Sequence, residues 1–200
     1  MMLNGTKTLK KTNMTQEKKY DIIYMDPPWQ YGSRFYHSED NISTIEEKHY
    51  PTMSMNELKE LPVNKMLNQD ALVYMWVTSS FLQVGIDLAR HWGLTYSTIG
   101  FVWQKGSRIM PGYYTLGSTE ICLVFRKGKI PQPRGARNER QFLQEDIREH
   151  SRKPDEIRRR IERMHPTQSK LEMFARTAPE GWDVWGNETD KFDENQTQLF

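Results

Sequence analysis

The stretch DIIYMDPPWQY, residues 21–31, joins an apolar run typical of a buried strand to an acid, two prolines and a tryptophan. Two consecutive prolines make a stiff, extended turn, so Asp26 has little freedom to swing away from the strand end. The Asp26 carboxylate and the Pro27 carbonyl then offer two acceptors beside the Trp29 indole. Such a site suits a flat aromatic amine with two N–H donors, but the same quartet is also compatible with a capping acid and a core tryptophan.

Apolar runs of strand length recur along the chain and alternate with helical patterns. About six such runs are present, at residues 21–25, 71–77, 97–104, 120–125, 170–176 and 182–186. Residues 79–93 carry apolar side chains at three- and four-residue spacing and end in Gly93, which predicts an amphipathic helix. A second helix is predicted beside Pro154, and a capping box at Ser54 announces a third. This alternation predicts an α/β sheet covered on both faces, with ligands at the carboxyl ends of its strands.

Length and composition predict one globular domain. The chain has 200 residues, of which 36% are hydrophobic. We expect a flexible N-terminal tail over residues 1–19, a domain over residues 20–190 and a C-terminal tail over residues 191–200. The single cysteine, Cys122, lies in an apolar run, so a buried side chain is expected, and neither an internal disulfide nor a cysteine-based zinc site is possible. No metal site is predicted. Neither a membrane-spanning run nor a signal peptide is recognisable, so we expect a soluble cytoplasmic protein.

Charge is nearly balanced overall but uneven along the chain. The 28 basic and 26 acidic residues give a net charge of +2, whereas residues 126–163 contain 13 Lys or Arg against 7 Asp or Glu. Such a basic excess is what phosphate contacts require, and Arg158, Arg159 and Arg160 are the candidates. They could equally form the solvated face of a helix. Two loops rich in Gly, Ser, Tyr and Arg, at residues 30–44 and 105–119, are candidates for contacts with unpaired bases.

Several further segments carry a family resemblance. DPPW after an apolar strand resembles the signature of the amino-methyltransferases that use S-adenosylmethionine. In the order HYPTMSMNEL, ALVYMWV, TIGFVWQK, STEICLVFRKG, SRKPDEIRRRIERM, KLEMFAR and GWDVWGNE, the chain is similar to the adenine-N6 methyltransferase family from about residue 20 to residue 190. That family includes the catalytic subunit of the eukaryotic messenger-RNA adenine methyltransferase and relatives in bacteria and phages. The resemblance implies a Rossmann-like fold with a mostly parallel seven-stranded sheet, helices on both faces, and the catalytic DPPW strand before the cofactor strand.

The resemblance also implies roles for particular residues. The catalytic quartet would be Asp26, Pro27, Pro28 and Trp29, with the amino group of the target base bonded to the first two. The target would be flipped out or already unpaired, and would pack against Trp29 and Tyr50. S-adenosylmethionine would be held by Lys153, Glu172, Arg176, Asn187 and Glu188, because its ribose hydroxyls and zwitterionic end need both acceptors and counter-charges.

The function implied is methylation of the N6 amino group of adenine in nucleic acid, with DNA slightly favoured over RNA. Two alternatives stay open: a catalytically silent nucleic-acid-binding partner subunit, against which the intact DPPW argues, and methylation of cytosine N4, which would use the same hydrogen bonds. The catalytic domain accounts for most of the 200 residues. Sequence specificity is therefore expected from the two loops or from a partner, or it is hardly present, and a homodimer or heterodimer is left open.

Overall fold

The computed structural model describes residues 18–30, 52–107, 109, 114–148, 152–175 and 177–186. Within these ranges the strands are β1 (Tyr20–Met25), β2 (Leu67–Val77), β3 (Thr95–Gln104), β4 (Thr119–Lys127), β5 (Phe142–Gln144), β6 (Lys170–Met173) and β7 (Asp183–Trp185). The helices are α1 (Met55–Glu60), α2 (Val63–Met66), α3 (Leu82–His91) and α4 (Asp155–Met164), and a 3-10 turn at Ser79–Phe81 leads into α3. Residues 1–17 of the predicted N-terminal tail (1–19) and the whole predicted C-terminal tail (191–200) lie outside the described residues.

The seven strands form one sheet in the order β5-β3-β4-β2-β1-β6-β7. β1 is parallel to β2 and β6, β6 is parallel to β7, and β3 is parallel to β5. β4 is antiparallel to both of its neighbours, β2 and β3. Six strands therefore point one way and β4 points the other, which confirms the mostly parallel seven-stranded sheet.

The sheet separates two hydrophobic cores, because successive side chains of a strand point to opposite faces. On one face Ile23 and Met25 pack in the core that includes residues of α1, α2 and α3. On the other face Ile22 and Tyr24 pack in the core that includes residues of α4. Helices on both faces of the sheet are thereby confirmed.

Local sequence signals set the helix boundaries as predicted. At the start of α1, the Ser54 hydroxyl accepts a bond from the Glu57 backbone N–H at 3.3 Å, and the Glu57 carboxylate accepts one from the Ser54 N–H at 2.8 Å. After α3, Gly93 adopts a left-handed φ of +76°, which glycine tolerates without strain. Pro154 stands immediately before α4.

Two strands differ from the sequence prediction. The edge strand β5 was not predicted, because three residues with an exposed Phe142 carry no apolar periodicity. The run expected over residues 170–176 is a strand only to Met173, since Phe174 has a left-handed φ of +62° and turns the chain. Cys122 is fully buried and free of a disulfide, as expected. No helix in the described part of the chain is long and apolar enough to cross a membrane.

Candidate active site

Asp26 follows the last residue of β1, at the sheet edge where the parallel strands end. Its carboxylate Oδ2 accepts a bond from the Lys153 ammonium, 2.5 Å away. Lys153 comes from the segment just before α4. Its contact with Asp26 therefore joins two residues that are distant in sequence. The carboxylate keeps 29% of its side-chain surface exposed and is accessible to a ligand.

The two prolines after Asp26 make a tight turn whose carbonyl groups have internal partners. The Pro27 oxygen accepts a bond from the Trp29 backbone N–H at 2.8 Å, and the Pro28 oxygen accepts one from the Met53 N–H at 2.9 Å. Both carbonyl groups thus act as hydrogen-bond acceptors within the folded chain. A carbonyl oxygen has two lone pairs, so the Pro27 oxygen keeps capacity for one further donor.

The Trp29 indole belongs to the hydrophobic core. Only 6% of the residue is exposed, its ring lies 5.3 Å from the Phe81 ring between centroids, and its Nε1–H donates to the Trp76 carbonyl at 3.3 Å. This burial corrects the expectation that Trp29 presents an open face for stacking on a base. Its role in the structure is to anchor the turn that holds Asp26. Tyr50, the other predicted stacking residue, lies outside the described residues.

Alternating charges continue from Asp26 along the side of the sheet where the parallel strands end. The Lys153 ammonium also lies 3.2 Å from the Glu120 carboxylate, whose second oxygen pairs with Lys105. Glu120 is at the start of β4, and Lys105 directly follows β3. Because β4 runs antiparallel, its first residues reach the same edge as the last residues of the parallel strands. We call Asp26, Lys153, Glu120 and Lys105 the charge row.

Burial makes the pairing in the charge row strong. Burial alone would raise the pKa of Glu120, but the ammonium groups of Lys153 and Lys105 lower that pKa below its ordinary value. Burial likewise acts to lower the pKa of Lys153, and the carboxylates of Asp26 and Glu120 overcome it and raise that pKa. Lys153 is therefore a cation held between two carboxylates.

A cleft beside Asp26 lies between the ends of β1 and β6 and the start of α4. In it, the Glu172 carboxylate pairs with the Arg158 guanidinium at 3.2 Å, and Arg158 also pairs with Asp155 at 3.4 Å. Burial raises the pKa of Glu172 to about 7, although the Arg158 charge opposes the shift. Glu172 was expected at the cofactor and does line this cleft. The cleft is lined by Tyr24, Asp26, Arg152, Lys153, Pro154, Asp155, Arg158, Glu172, Met173, Phe174 and Thr177.

The three consecutive arginines of α4 point in three directions, because successive helical residues are turned by about 100°. Arg158 faces the cleft, Arg159 is exposed, and Arg160 donates to the backbone carbonyls of Arg140 and Phe142 at 2.6 and 3.1 Å. The interpretation of all three as exposed phosphate ligands or as one solvated face is therefore wrong for Arg158 and Arg160. Their side chains are only 17% and 11% exposed and have carboxylate partners.

Similarity to known proteins decides the family. The MT-A70 family model matches residues 20–188, which contain the whole described sheet and the charge row. The chain belongs to the MT-A70 family. Its recognition as a relative of adenine-N6 methyltransferases is thereby confirmed.

Relatives of this chain differ in how much of their length it covers. The chain is 42% identical to the Type II methyltransferase M.MunI of Mycoplasma sp. over 183 residues, which are 86% of this chain and 78% of that protein. It is 31% identical over 180 residues to an N(6)-adenosine-methyltransferase MT-A70-like protein of Arabidopsis thaliana, and covers 24% of it. It is 27% identical over 182 residues to the human N(6)-adenosine-methyltransferase catalytic subunit METTL3, and covers 28% of it.

Among the described residues, the structure brings Asp26 and Lys153 into contact and places Glu172 in the same cleft. Arg176, Asn187 and Glu188 lie outside the described residues, so their cofactor role stays a prediction. Sequence reasoning missed Glu120 and Lys105. The signal available in this MT-A70 sequence was Glu120 itself, an acid at the start of the apolar strand EICLVF.

Proposed function

We propose that this chain transfers a methyl group from S-adenosylmethionine to the N6 amino group of adenine in DNA. The observation that carries the proposal is the Asp26 carboxylate held by Lys153 at the carboxyl edge of the sheet, in a chain of the MT-A70 family. DNA is favoured because the relative with 42% identity is named a Type II methyltransferase, a class of DNA-modifying enzymes.

The side chains of the cleft fit S-adenosylmethionine chemically. The cofactor carries an ammonium, a carboxylate, hydroxyls and a sulfonium cation, and the cleft presents groups of both signs and a hydroxyl. Apart from Asp26, which is assigned to the target, the carboxylates are those of Asp155 and Glu172, the cations are Arg152, Lys153 and Arg158, and Thr177 offers a hydroxyl. When bound, S-adenosylmethionine supplies an electrophilic methyl group. Arg176, Asn187 and Glu188 are proposed as additional ligands, on the family resemblance.

Asp26 is proposed to act on the amino group of the target. The lone pair of an adenine amino group is delocalised into the ring, and acceptors for its two N–H bonds favour the pyramidal, nucleophilic form. A carboxylate offers about four acceptor sites, so Asp26 can hold Lys153 and accept an N–H from adenine at the same time. The Pro27 oxygen is the proposed second acceptor.

The charge row supports the same step. As the adenine nitrogen bonds to the methyl carbon, the carbon–sulfur bond would break and a neutral thioether would leave; the nitrogen becomes positively charged, and the Asp26 carboxylate stabilises that charge. Lys153 favours the ionised form of Asp26, because a neighbouring opposite charge stabilises both members of a pair. The nitrogen then returns to neutrality by giving up one N–H proton, for which Asp26 is the adjacent acceptor. Positioning by the rigid DPPW turn supplies part of the acceleration.

The proposal is tested by incubating the protein with S-adenosylmethionine and matched DNA and RNA, and analysing the nucleosides by mass spectrometry. We expect N6-methyladenine from DNA. N4-methylcytosine, or methylation of RNA only, would overturn the substrate assignment. Absence of any methylated nucleoside would favour a silent partner subunit.

Asp26→Ala is expected to abolish methyl transfer and to leave S-adenosylmethionine affinity within a few-fold, because the carboxylate acts on the target nitrogen. Calorimetry measures the affinity. A variant whose main defect is the loss of cofactor binding would show that the assigned role is wrong.

A further inference from the structure

An arginine-rich loop is fixed against the end of α4 by backbone and side-chain bonds. We define the arginine loop as residues 131–141. The N–H groups of Gly135 and Ala136 donate to the carbonyls of Met164 and Arg163 at 2.9 and 2.8 Å. Gly135 approaches so closely that a Cβ there would stand 2.1 Å from the Arg163 oxygen. The loop therefore has a defined position on the helix, held by its backbone.

Side chains give the arginine loop four further attachments. Arg160 donates to the Arg140 carbonyl at 2.6 Å, and Arg163 makes a two-point contact with the Glu139 carboxylate at 2.6 and 3.0 Å. Gln141 donates to the Ile99 carbonyl of β3 at 2.6 Å. Gln168 donates to the Pro133 carbonyl at 2.8 Å. Together these bonds occupy the Glu139 carboxylate and the main-chain oxygens of Pro133 and Arg140.

The arginines of this region divide into two sets. The paired set, made of Arg148, Arg152, Arg158, Arg160 and Arg163, has carboxylate partners. The second set is exposed, and no carboxylate of the described residues forms an ion pair with its members, which are Arg134, Arg137, Arg140 and Arg159. The fold thus neutralises one set of guanidinium groups and leaves the other facing solvent.

The exposed set extends beside the helix that leads to the catalytic edge. The arginine loop is attached at the C-terminal end of α4, whereas the N-terminal end of α4 begins beside Asp26 and Lys153. Ten helical residues span about 15 Å, and one strand of duplex DNA carries a phosphate about every 3.4 Å along its axis. The length of α4 therefore corresponds to about four phosphates of one strand.

We propose that Arg134, Arg137, Arg140 and Arg159 form a phosphate-binding surface that holds a DNA duplex alongside α4, with one end of the contact at the catalytic cleft. Guanidinium groups match phosphate oxygens, and within the described part of the chain no ion pair of these four arginines competes with a phosphate. The assignment rests on the proposed function for its choice of DNA. It replaces Arg158 and Arg160 with the loop arginines as the phosphate ligands.

The test compares two variants that lose the same number of positive charges. The first carries Gln at Arg134, Arg137 and Arg140. The control carries Gln at three exposed basic residues of the helices on the opposite face of the sheet, namely Lys59, Lys65 and Arg90. Binding of a short DNA duplex is measured at several salt concentrations for the wild type and for both variants.

We expect the first variant to bind more weakly and to lose about 0.9 of log–log salt slope for each phosphate contact removed, or about 2.7 for three, whereas the control keeps the wild-type slope. Equal slopes in the two variants would overturn the proposal. A charge-preserving triple Lys variant should keep most of the slope. If that variant loses as much as the Gln variant, the arginines are structural and the proposal is wrong.

The outcome is separable from that of the proposed function. N6-methyladenine formation by the wild type tests the reaction, and the salt slope of the variants tests the surface. Methylating wild-type protein with an unchanged slope in the loop variant overturns the surface alone. A reduced slope in a protein that methylates only RNA supports a phosphate-binding surface and overturns DNA as its partner.

Discussion

Lys153 is the residue on which the charge arrangement of the catalytic edge depends, because its ammonium contacts Asp26 and Glu120 at 2.5 and 3.2 Å. Its side chain is 11% exposed, so water can do little to replace it. Breaking one member out of a buried charge cluster leaves the opposite charge without compensation. Lys153 therefore bears on both stability and chemistry.

Lys153→Met should shift the acid limb of the methyl-transfer pH profile to higher pH. Without the cation, the pKa of Glu120 loses the Lys153 charge that lowers it, and two carboxylates face one another uncompensated, so the charge row takes up a proton at higher pH. The measurement is single-turnover methylation across pH at saturating S-adenosylmethionine. Lys153→Arg should restore most of the profile, and Lys105→Met, at the outer end of the charge row, should shift it less. An unmoved acid limb in Lys153→Met would contradict the assignment.

Glu172 should make the folded state less stable as the pH rises from about 4.5 to 7. Its folded pKa of about 7 exceeds the ordinary value of 4.5, so the folded protein binds more protons than the unfolded chain in that window. The unfolding free energy then falls with rising pH, by about 3 kcal/mol for a shift of this size. Urea unfolding of the wild type and of Glu172→Gln at several pH values measures it. As the pH rises, the unfolding free energy of Glu172→Gln should increase relative to that of the wild type. A difference between the two proteins that is the same at every pH would contradict this prediction.

At the scale of the element, different sides of α4 have different functions. Ile157 and Ile161 fill the core, Arg158 faces the cleft, and Arg160 holds the arginine loop. Arg159 points away from all three. A run of identical residues on one helix thus has different consequences at each position.

Arg160→Gln should cost about 1–3 kcal/mol of unfolding free energy, because it leaves the carbonyls of Arg140 and Phe142 without their donor. Its neighbour provides the matched control: Arg159→Gln should change stability by less than about 0.5 kcal/mol, since Arg159 is exposed. Chemical denaturation of both single variants measures the difference. Equal costs would show that the bonds of Arg160 to the loop contribute nothing.

Sequence patterns predicted the elements correctly where the pattern involves only neighbouring residues. The Ser54 capping box, the end of α3 at Gly93 and the position of Asp26 after an apolar run each depend on a few adjacent residues. The pairing of Glu120 with Lys153 depends instead on the reversed direction of β4 and joins residues far apart in sequence. The partners of Arg158 and Arg160 depend on which segments pack beside α4. The burial of Trp29 depends on its contact with Phe81, which is distant in sequence. No local pattern encodes these contacts.

At the scale of the whole molecule, one sheet separates two cores that share its backbone but not their side chains. Leu88 of α3 is fully buried in one core, and Ile161 of α4 is fully buried in the other. Truncation in either core leaves a space that its own neighbours must fill. The sheet separates Leu88 from Ile161.

Leu88→Ala and Ile161→Val should therefore destabilise the protein independently. We expect about 2–5 and 0.5–1.5 kcal/mol, and a double variant that equals the sum within about 0.5 kcal/mol. Denaturant unfolding of the four proteins of the cycle measures the coupling. A coupling well above that value would mean that strain passes through the sheet from one core to the other.

The reversed direction of β4 also bears on how relatives of this chain can diverge. β3 and β4 are sheet neighbours, and the loop between them is closed at its base by the bond from the Lys105 N–H to the Ser118 carbonyl at 2.8 Å and by the Lys105–Glu120 ion pair. The two strands also pair along their length, from Thr95 with Arg126 to Gln104 with Thr119. We therefore expect that the loop between Lys105 and Ser118 can be exchanged, in evolution or by design, while Asp26 keeps its position at the end of β1.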